Sequence, residues 1–262
     1  MATKKARAAA GWVVMKTNQP ASKVAIVTGS SRGIGAAIAR QLAADGFKVI
    51  VNYAGRVADA ESVVKAITEA GGAAAAIQAD VSNVAEVAAL FDRTETLFGG
   101  VDVVVNNAGI MQTMPLANTD DALFDRTVAV NLKGTFNTLR AASKRLRPDG
   151  RIINFSTSAI GLALPGYALY CATKSAVETM TNIFAKELRG RNITVNAIAP
   201  GPTATDLFPN GKTEEQIAHL AKMPPLERLG EPEDIAKVAS FLAGPDAGWV
   251  NGQTLRANGG IV

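Results

Sequence analysis

The chain has 262 residues, 48% of them hydrophobic, and a formal net charge of +4. That length and apolar share suit one α/β unit with a sizeable core and exclude a chain disordered by composition. A single cysteine and a single histidine, Cys171 and His219, exclude an intrachain disulfide and a His/Cys metal cluster, so no metal site is expected.

Lys4, Lys5, Arg7 and Lys16 match the whole charge excess, and residues 1–22 read as a flexible, basic, Ala-rich extension. No apolar core follows the basic residues 4–7, which argues against a secretion leader, and the lone cysteine points to a reducing compartment, here the cytoplasm. The uncharged stretch over residues 154–173 is broken by Gly161, Pro165 and Gly166, so no membrane span is expected.

Residues 23–262 read as a single domain. Val24–Val27 is a continuous apolar run, the pattern of a buried parallel strand. It leads into Thr28-Gly29-Ser30-Ser31-Arg32-Gly33-Ile34-Gly35, and a helical pattern follows to about Asp45. Strand, glycine-rich turn and helix are the context of a dinucleotide-binding turn. The glycines permit positive φ and close approach, so amides at the helix N-terminus face a pyrophosphate. Lys48–Tyr53 is the second strand. An acid at its end would meet the 2′-hydroxyl of NAD, but the sequence reads Asn52-Tyr53-Ala54-Gly55-Arg56. Arg32 and Arg56 are placed to meet a 2′-phosphate instead, which favours NADP over NAD.

A helix over Asp59–Ala70 ends at Gly71-Gly72, and Ala75–Val81 forms the third strand. Its Asp80 either accepts a hydrogen bond from an adenine amino group or helps cap the helix of residues 84–98. Val101–Val105 ends in Asn106-Asn107-Ala108-Gly109, a small polar turn that lets backbone approach a ligand at the sheet's carboxyl edge. One long helical stretch is expected from about Asp120 to Arg147. Asn131 lies inside it, where it bends the helix, holds a water, or is simply exposed.

Arg151–Phe155 ends in Ser156-Thr157-Ser158, a helix carrying Tyr170 runs to about Gly190, and Ile193–Ala199 ends in Pro200-Gly201-Pro202-Thr203. Residues 203–228, with Pro209, Gly211, Pro224 and Pro225 around a short helix near Thr213–Met223, form a candidate lid. A helix over Asp234–Leu242 and a strand over Thr254–Ala257 complete an unbroken β-α alternation. The expected fold is therefore α/β, with one doubly wound parallel sheet.

In Tyr170-Cys171-Ala172-Thr173-Lys174 the tyrosine and lysine are four residues apart and share one helix face. An ammonium beside a phenol favours the phenolate and lowers its pKa from about 10, which makes Tyr170 a candidate proton donor and acceptor. Cys171 points about 100° away and reads as a small buried residue rather than a nucleophile. His219, on the lid helix, either meets substrate or is solvated.

Four motifs, Thr28-Gly-x-x-x-Gly-x-Gly, Asn106-Asn-Ala-Gly, Tyr170-x-x-x-Lys174 and Pro200-Gly, occur in the order and spacing of the short-chain dehydrogenase/reductase family, which residues 23–262 resemble. The resemblance implies a Rossmann-type, three-layer α/β/α fold of about seven parallel strands, usually as a homotetramer. It implies hydride transfer between NAD(P) and a carbonyl or alcohol, with Tyr170 protonating the carbonyl oxygen during reduction. Lys174 would lower that pKa and hold the nicotinamide ribose, and Asn131 would support a water connected to Lys174.

The implied cofactor-lining set is Gly29, Ser31, Arg32, Gly33, Ile34, Gly35, Asn52, Tyr53, Arg56, Asp80, Val81, Asn107, Ala108, Gly109, Pro200, Gly201 and Thr203, besides Tyr170 and Lys174. The family's carbonyl-polarising serine falls where this chain has Thr157, flanked by Ser156 and Ser158. The expectation is divided between Ser158 and Thr157, with Ser156 behind. The Pro200–Leu242 region, including Glu227-Arg-Leu-Gly-Glu-Pro-Glu-Asp, resembles 3-oxoacyl thioester reductases of fatty-acid synthesis. Their acidic carrier protein would meet Lys212, Lys222 and Arg228. A small aldehyde, ketone, sugar or polyol fits the same chemistry. Two readings of other classes are a regulator that senses NADP without turnover, and nucleic-acid binding through the basic extension.

Overall fold

The computed structural model describes residues 22–205 and 213–262. The basic extension up to residue 21, and lid residues 206–212 with Pro209, Gly211 and Lys212, lie outside the described residues.

The chain alternates strand and helix throughout. It begins β1 (Val24–Val27), α1 (Gly33–Ala44), β2 (Lys48–Tyr53), α2 (Val57–Glu69), β3 (Ala73–Gln78), α3 (Val84–Phe98) and β4 (Val101–Asn106). It continues α4 (Asp121–Thr127), α5 (Gly134–Arg145), β5 (Leu146–Phe155), the one-turn α6 (Ala159–Leu162), α7 (Ala168–Glu187) and β6 (Thr194–Pro200). The lid helix α8 (Glu214–Lys222), α9 (Pro232–Ala243) and β7 (Thr254–Ala257) complete it.

All seven strands are parallel, in the order β3-β2-β1-β4-β5-β6-β7. The chain winds outward from β1 to β3, then crosses to β4 and winds the other way. That reversal opens a crevice between the carboxyl ends of β1 and β4, where a ligand fits in a sheet of this kind.

Both sheet faces are covered, which is why the central strands carry apolar runs such as Val24–Val27 and Val103–Val105. Ala36, Leu42, Val63, Ile67, Ile235 and Leu242 from α1, α2 and α9 pack one face with Val27, Val51 and Ile153. Val87, Leu90, Phe91, Leu139 and Leu188, on and beside α3, α5 and α7, pack the other with Ile26, Ile50 and Ile152. Each of the larger apolar side chains among these contributes about 1.5–3 kcal/mol over its exposed state. The strand ends therefore stand on a rigid base.

Several boundaries differ from the sequence expectation, β5 for one beginning at Leu146 rather than Arg151. β3 begins at Ala73 and ends at Gln78 because its ladder with β2 runs from Lys48↔Ala73 to Tyr53↔Gln78 and stops when β2 stops. Asp80 consequently lies beyond the strand. The helical stretch expected over residues 120–147 is interrupted by a π-helical turn, Val128–Lys133. It also ends at Arg145, because Pro148 disfavours helical geometry at Arg147 and Leu146 instead enters the sheet opposite Val101.

Candidate active site

A cleft of about 570 Å³ runs across the carboxyl ends of the strands. At one end lies the glycine turn. Gly29 has φ +61, and a Cβ there would sit 2.8 Å from the Ala108 Cα, so only glycine lets the turn after β1 meet the turn after β4. Asn107 Nδ2 donates to the Thr28 and Gly29 carbonyls, both at 3.0 Å, and the Ala108 N–H donates to Thr28 Oγ1 at 3.0 Å. The two sequence motifs are thus one structure.

Ser31, Arg32, Gly33 and Ile34 line the cleft at the start of α1, while Gly35 packs beneath them. That helix has no side-chain cap and no acid in its first turn. Its free amides face outward with the positive end of the dipole, a fit for a pyrophosphate. The residues present therefore suit a dinucleotide.

Tyr53, Arg32 and Arg56 line the adjoining wall. Arg56 pairs with Asp59 at 3.4 Å, both side chains well exposed, a weak bond readily exchanged for a phosphate. Asn52, expected among the cofactor contacts, lines the cleft and is largely buried. Its Oδ1 accepts from the Gly29 N–H at 3.2 Å, and its Nδ2 donates to the Ile77 and Ala79 carbonyls. Its amide braces the glycine turn from behind.

Asp80 lines the cleft but does not cap α3. Asn83 does so, through its Oδ1 to Ala85 N and Glu86 N. Asp80 Oδ1 instead accepts from the Ser82 amide and hydroxyl, and its Oδ2 lies 3.6 Å from Arg126. Burial pushes the carboxyl up, but the Ser82 bonds and the Arg126 guanidinium outweigh it and hold it below its ordinary value. Val81 lines the cleft beside it and packs on Gly134.

At the other end, α7 presents Tyr170 and Lys174 on one face, with Lys174 Nζ 5.9 Å from the centre of the tyrosine ring. Lys174 is buried and donates to the Phe155 carbonyl at 2.8 Å. Burial pushes its pKa down to about 8, so at neutral pH most of it is still ammonium. The expectation that this ammonium lowers the phenol's pKa is not what governs Tyr170. Burial pushes the phenol up to about 12, against a hydrogen bond from Thr157 that favours the phenolate. The phenol is thus protonated at neutral pH, the form a proton donor needs.

The three candidate hydroxyls separate cleanly. The β5–β6 ladder continues past the end of β5 through Ser156 N to the Ile198 carbonyl and Ser158 N to the Pro200 carbonyl. Ser156 Oγ donates to Glu178 at 2.6 Å. Ser158, favoured equally with Thr157 from sequence, is buried; its Oγ donates to the Ala199 carbonyl and accepts from Asn258. That hydroxyl is saturated and turned from the tyrosine. Thr157 Oγ1 accepts from the Ala159 N–H at 3.2 Å, which leaves its own proton to donate, and it is the hydroxyl beside the Tyr170 phenol.

Asn131 is fully buried, which removes the exposed reading. The π-turn bends the helix there, and the amide reaches the loop after β4: Oδ1 accepts from the Ile110 N–H at 2.8 Å and Nδ2 donates to the Ile110 carbonyl at 2.9 Å. A Cβ on Gly109 would come 3.4 Å from Asn131 Oδ1 and 3.5 Å from Lys174 Nζ, so the loop passes between the two. Pro200, Gly201 and Thr203 line the same end.

Cys171 is half-buried, and burial pushes its thiol up, away from thiolate. His219 is exposed and does not line the cleft, whereas Leu220 beside it does. Arg228 pairs with Asp234 at 2.6 Å. Sequence reasoning missed Ile110, Met111, Leu162, Leu164 and Tyr167, which wall the tyrosine end, and Arg126 at the other. Tyr167, three residues before Tyr170, was findable from helical spacing; the others had no signal. Among the described residues no cluster of His, Cys, Asp and Glu could hold a metal, and no helix is long and apolar enough to cross a membrane.

A family profile described as enoyl-(acyl carrier protein) reductase matches residues 29–262. The chain is 46% identical over 250 residues to a short-chain type dehydrogenase/reductase of Picea abies, covering 92% of each. It is 44% identical over 256 residues to an NADPH-dependent aldehyde reductase-like protein, chloroplastic, of Arabidopsis thaliana, covering 92% of this chain and 95% of that one. Among solved structures, a short chain dehydrogenase from Burkholderia cenocepacia in complex with NADP superposes with a TM-score of 0.86 at 36% identity, over 91% of this chain and 97% of that one.

Proposed function

The chain belongs to the short-chain dehydrogenase/reductase family, oxidoreductases acting on the CH–OH/C=O couple, and we propose that it uses NADPH to reduce an aldehyde or ketone with an apolar flank. The observation that carries this reading is the pairing, at one end of a dinucleotide-shaped cleft, of a protonated Tyr170 phenol with a Thr157 hydroxyl free to donate. The glycine turn, the start of α1 and Lys174 would hold the dinucleotide, which would supply a hydride for the carbonyl carbon. Thr157 donates a hydrogen bond to the carbonyl oxygen as negative charge develops there, and Tyr170 transfers its proton to that oxygen. Lys174 holds the nicotinamide ribose, and its ammonium favours the phenolate that remains. Asn131 supports a water through which a proton returns.

The 2′-phosphate preference rests on Arg32 and Arg56 and on the lack of an acid at the end of β2. The apolar flank rests on Ile110, Met111, Leu162, Leu164, Tyr167 and Leu220 along the tyrosine end. A 3-oxoacyl thioester is the second reading, favoured by the room this wall gives an acyl chain. Of the lid cations that would meet an acyl carrier protein, Arg228 is already paired and Lys222 is exposed. A homotetramer, expected from the family, agrees with Phe136 and Ile183, exposed on α5 and α7, and with Trp249 at 98% exposure. A cytoplasmic location rests on the sequence reading alone. The deciding experiment follows NADPH consumption across aldehydes, ketones, sugars and acyl thioesters. Turnover of apolar carbonyls supports the proposal, and tight NADPH binding without turnover of any carbonyl favours the regulator instead.

A further inference from the structure

The turn after β7 sits against the loop that carries Thr157. Asn258 is nearly buried there and fully hydrogen-bonded. Its Nδ2 donates to Ser158 Oγ at 2.9 Å and to the Val262 carbonyl at 3.3 Å, and its Oδ1 accepts from the Gly260 N–H at 2.9 Å. Ser158 Oγ in turn donates to the Ala199 carbonyl at 3.0 Å, and Ser158 N to the Pro200 carbonyl at 2.9 Å. Ser158 is thus gripped on three sides, between the residue whose hydroxyl faces Tyr170 and Ala159, whose N–H fixes that hydroxyl's lone pair.

Two close approaches keep this bracket in place. A Cβ on Gly201 would come 2.8 Å from the Asn258 Cα, and one on Gly161, in α6, would come 3.0 Å from the Val262 Cβ. The same turn touches the base of the lid, since a Cβ on Gly259 would lie 3.0 Å from the Pro224 Cβ. Asn258, Gly259 and Val262 themselves do not line the cleft.

From this arrangement we infer that Asn258 is a positioning residue for the Thr157 hydroxyl, acting through Ser158; the inference rests on the proposed carbonyl reduction. Thr157 lies two residues past Phe155, the last residue of β5, where the chain leaves the strand and its direction depends on what holds its neighbours. A buried amide that saturates the next side chain supplies that direction at the distance scale on which transition-state hydrogen bonds depend.

The test is a double-mutant cycle on the full chain with NADPH, using the carbonyl compound reduced fastest in the panel above. Asn258→Ala is expected to lower kcat about ten-fold while the NADPH dissociation constant stays at the wild-type value. Thr157→Ala lowers kcat further, and adding Asn258→Ala to it produces no additional loss, because the residue acts only through that hydroxyl. Asn258→Asp keeps the shape and the bond from Gly260 but loses the donor to Ser158, so it lowers kcat too; it also serves if the alanine variant does not fold. Wild-type kcat in both Asn258 variants overturns the proposal, and so does a loss that multiplies with that of Thr157→Ala. If Thr157→Ala itself leaves kcat unchanged, the reading of the site falls and the proposal falls with it.

Discussion

Replacing Thr157 by valine keeps the side chain's shape and removes its oxygen. The wild-type oxygen has two bonds at stake, one accepted from the Ala159 N–H at 3.2 Å and one donated toward the phenol. Loss of the first unties the start of α6 and lowers stability by about 1 kcal/mol, roughly 2–4 °C in melting temperature for a domain of this size. Loss of the second removes the donor aimed at the developing oxyanion, which lowers kcat by about 10²–10³, or roughly 2.7–4 kcal/mol of transition-state stabilisation. Thr157→Ser keeps the oxygen and should retain most of the activity that valine loses.

Steady-state NADPH consumption gives kcat, and fluorescence titration gives the NADPH dissociation constant, which neither substitution should move. A valine variant with wild-type kcat would refute the assignment. It would return the polarising role to Ser158 despite that hydroxyl's bonds to Ala199 and Asn258.

Tyr170→Phe should abolish turnover while NADPH binds as before; full activity in that variant would sink the proton-transfer assignment. Arg32→Ala with Arg56→Ala should cut the preference for NADPH over NADH about ten-fold, a modest effect because Arg56 is solvent-screened; an unchanged ratio would make both arginines bystanders. Lys174 has a pKa of about 8 folded against 10.5 unfolded, so between those values the unfolded chain holds the extra proton and stability rises with pH. Tyr170 shows the reverse between 10 and about 12, where the folded chain keeps the proton and stability falls. Urea midpoints measured against pH should lose the first slope in Lys174→Met and the second in Tyr170→Phe, and parallel curves for wild type and variants would contradict the burial argument.

The doubly wound sheet was legible because the central strands are covered on both faces and so carry short apolar runs, as Val24–Val27 and Val103–Val105 do. The glycine turn and the Asn106–Gly109 turn were legible as separate signals, but not as the single interlocked structure that Asn107 and Thr28 make. That contact joins residues about eighty positions apart, and no local pattern encodes it. The role of Asn52 was half legible for the same reason: it lines the cleft as expected, but its amide is held within the fold. Position at a strand end suggested a ligand contact, while the partners that occupy its amide come from β3 and the glycine turn. Asn131 presented three open readings because an asparagine within a helix is ambiguous until the π-turn shows which way it faces. The choice among Ser156, Thr157 and Ser158 depended on whether the β5–β6 ladder stops at Phe155 or continues through backbone bonds, and sequence carries no mark of that.

The anchoring of Lys174 limits how its substitution can be interpreted. Its Nζ donates to the carbonyl of Phe155, two residues before Thr157, so the lysine secures the strand end that presents the hydroxyl. Lys174→Met leaves that buried carbonyl without its partner, a penalty of about 1–3 kcal/mol that offsets part of what is gained by no longer burying an ammonium. It also loosens β5 just where Ser156 turns to Glu178 and Ser158 turns to Asn258. Kinetic losses from Lys174→Met and Thr157→Val should therefore overlap in part, since both displace the same donor from the carbonyl oxygen, while Lys174→Met alone also removes the ammonium proposed to act on the ribose and the phenolate.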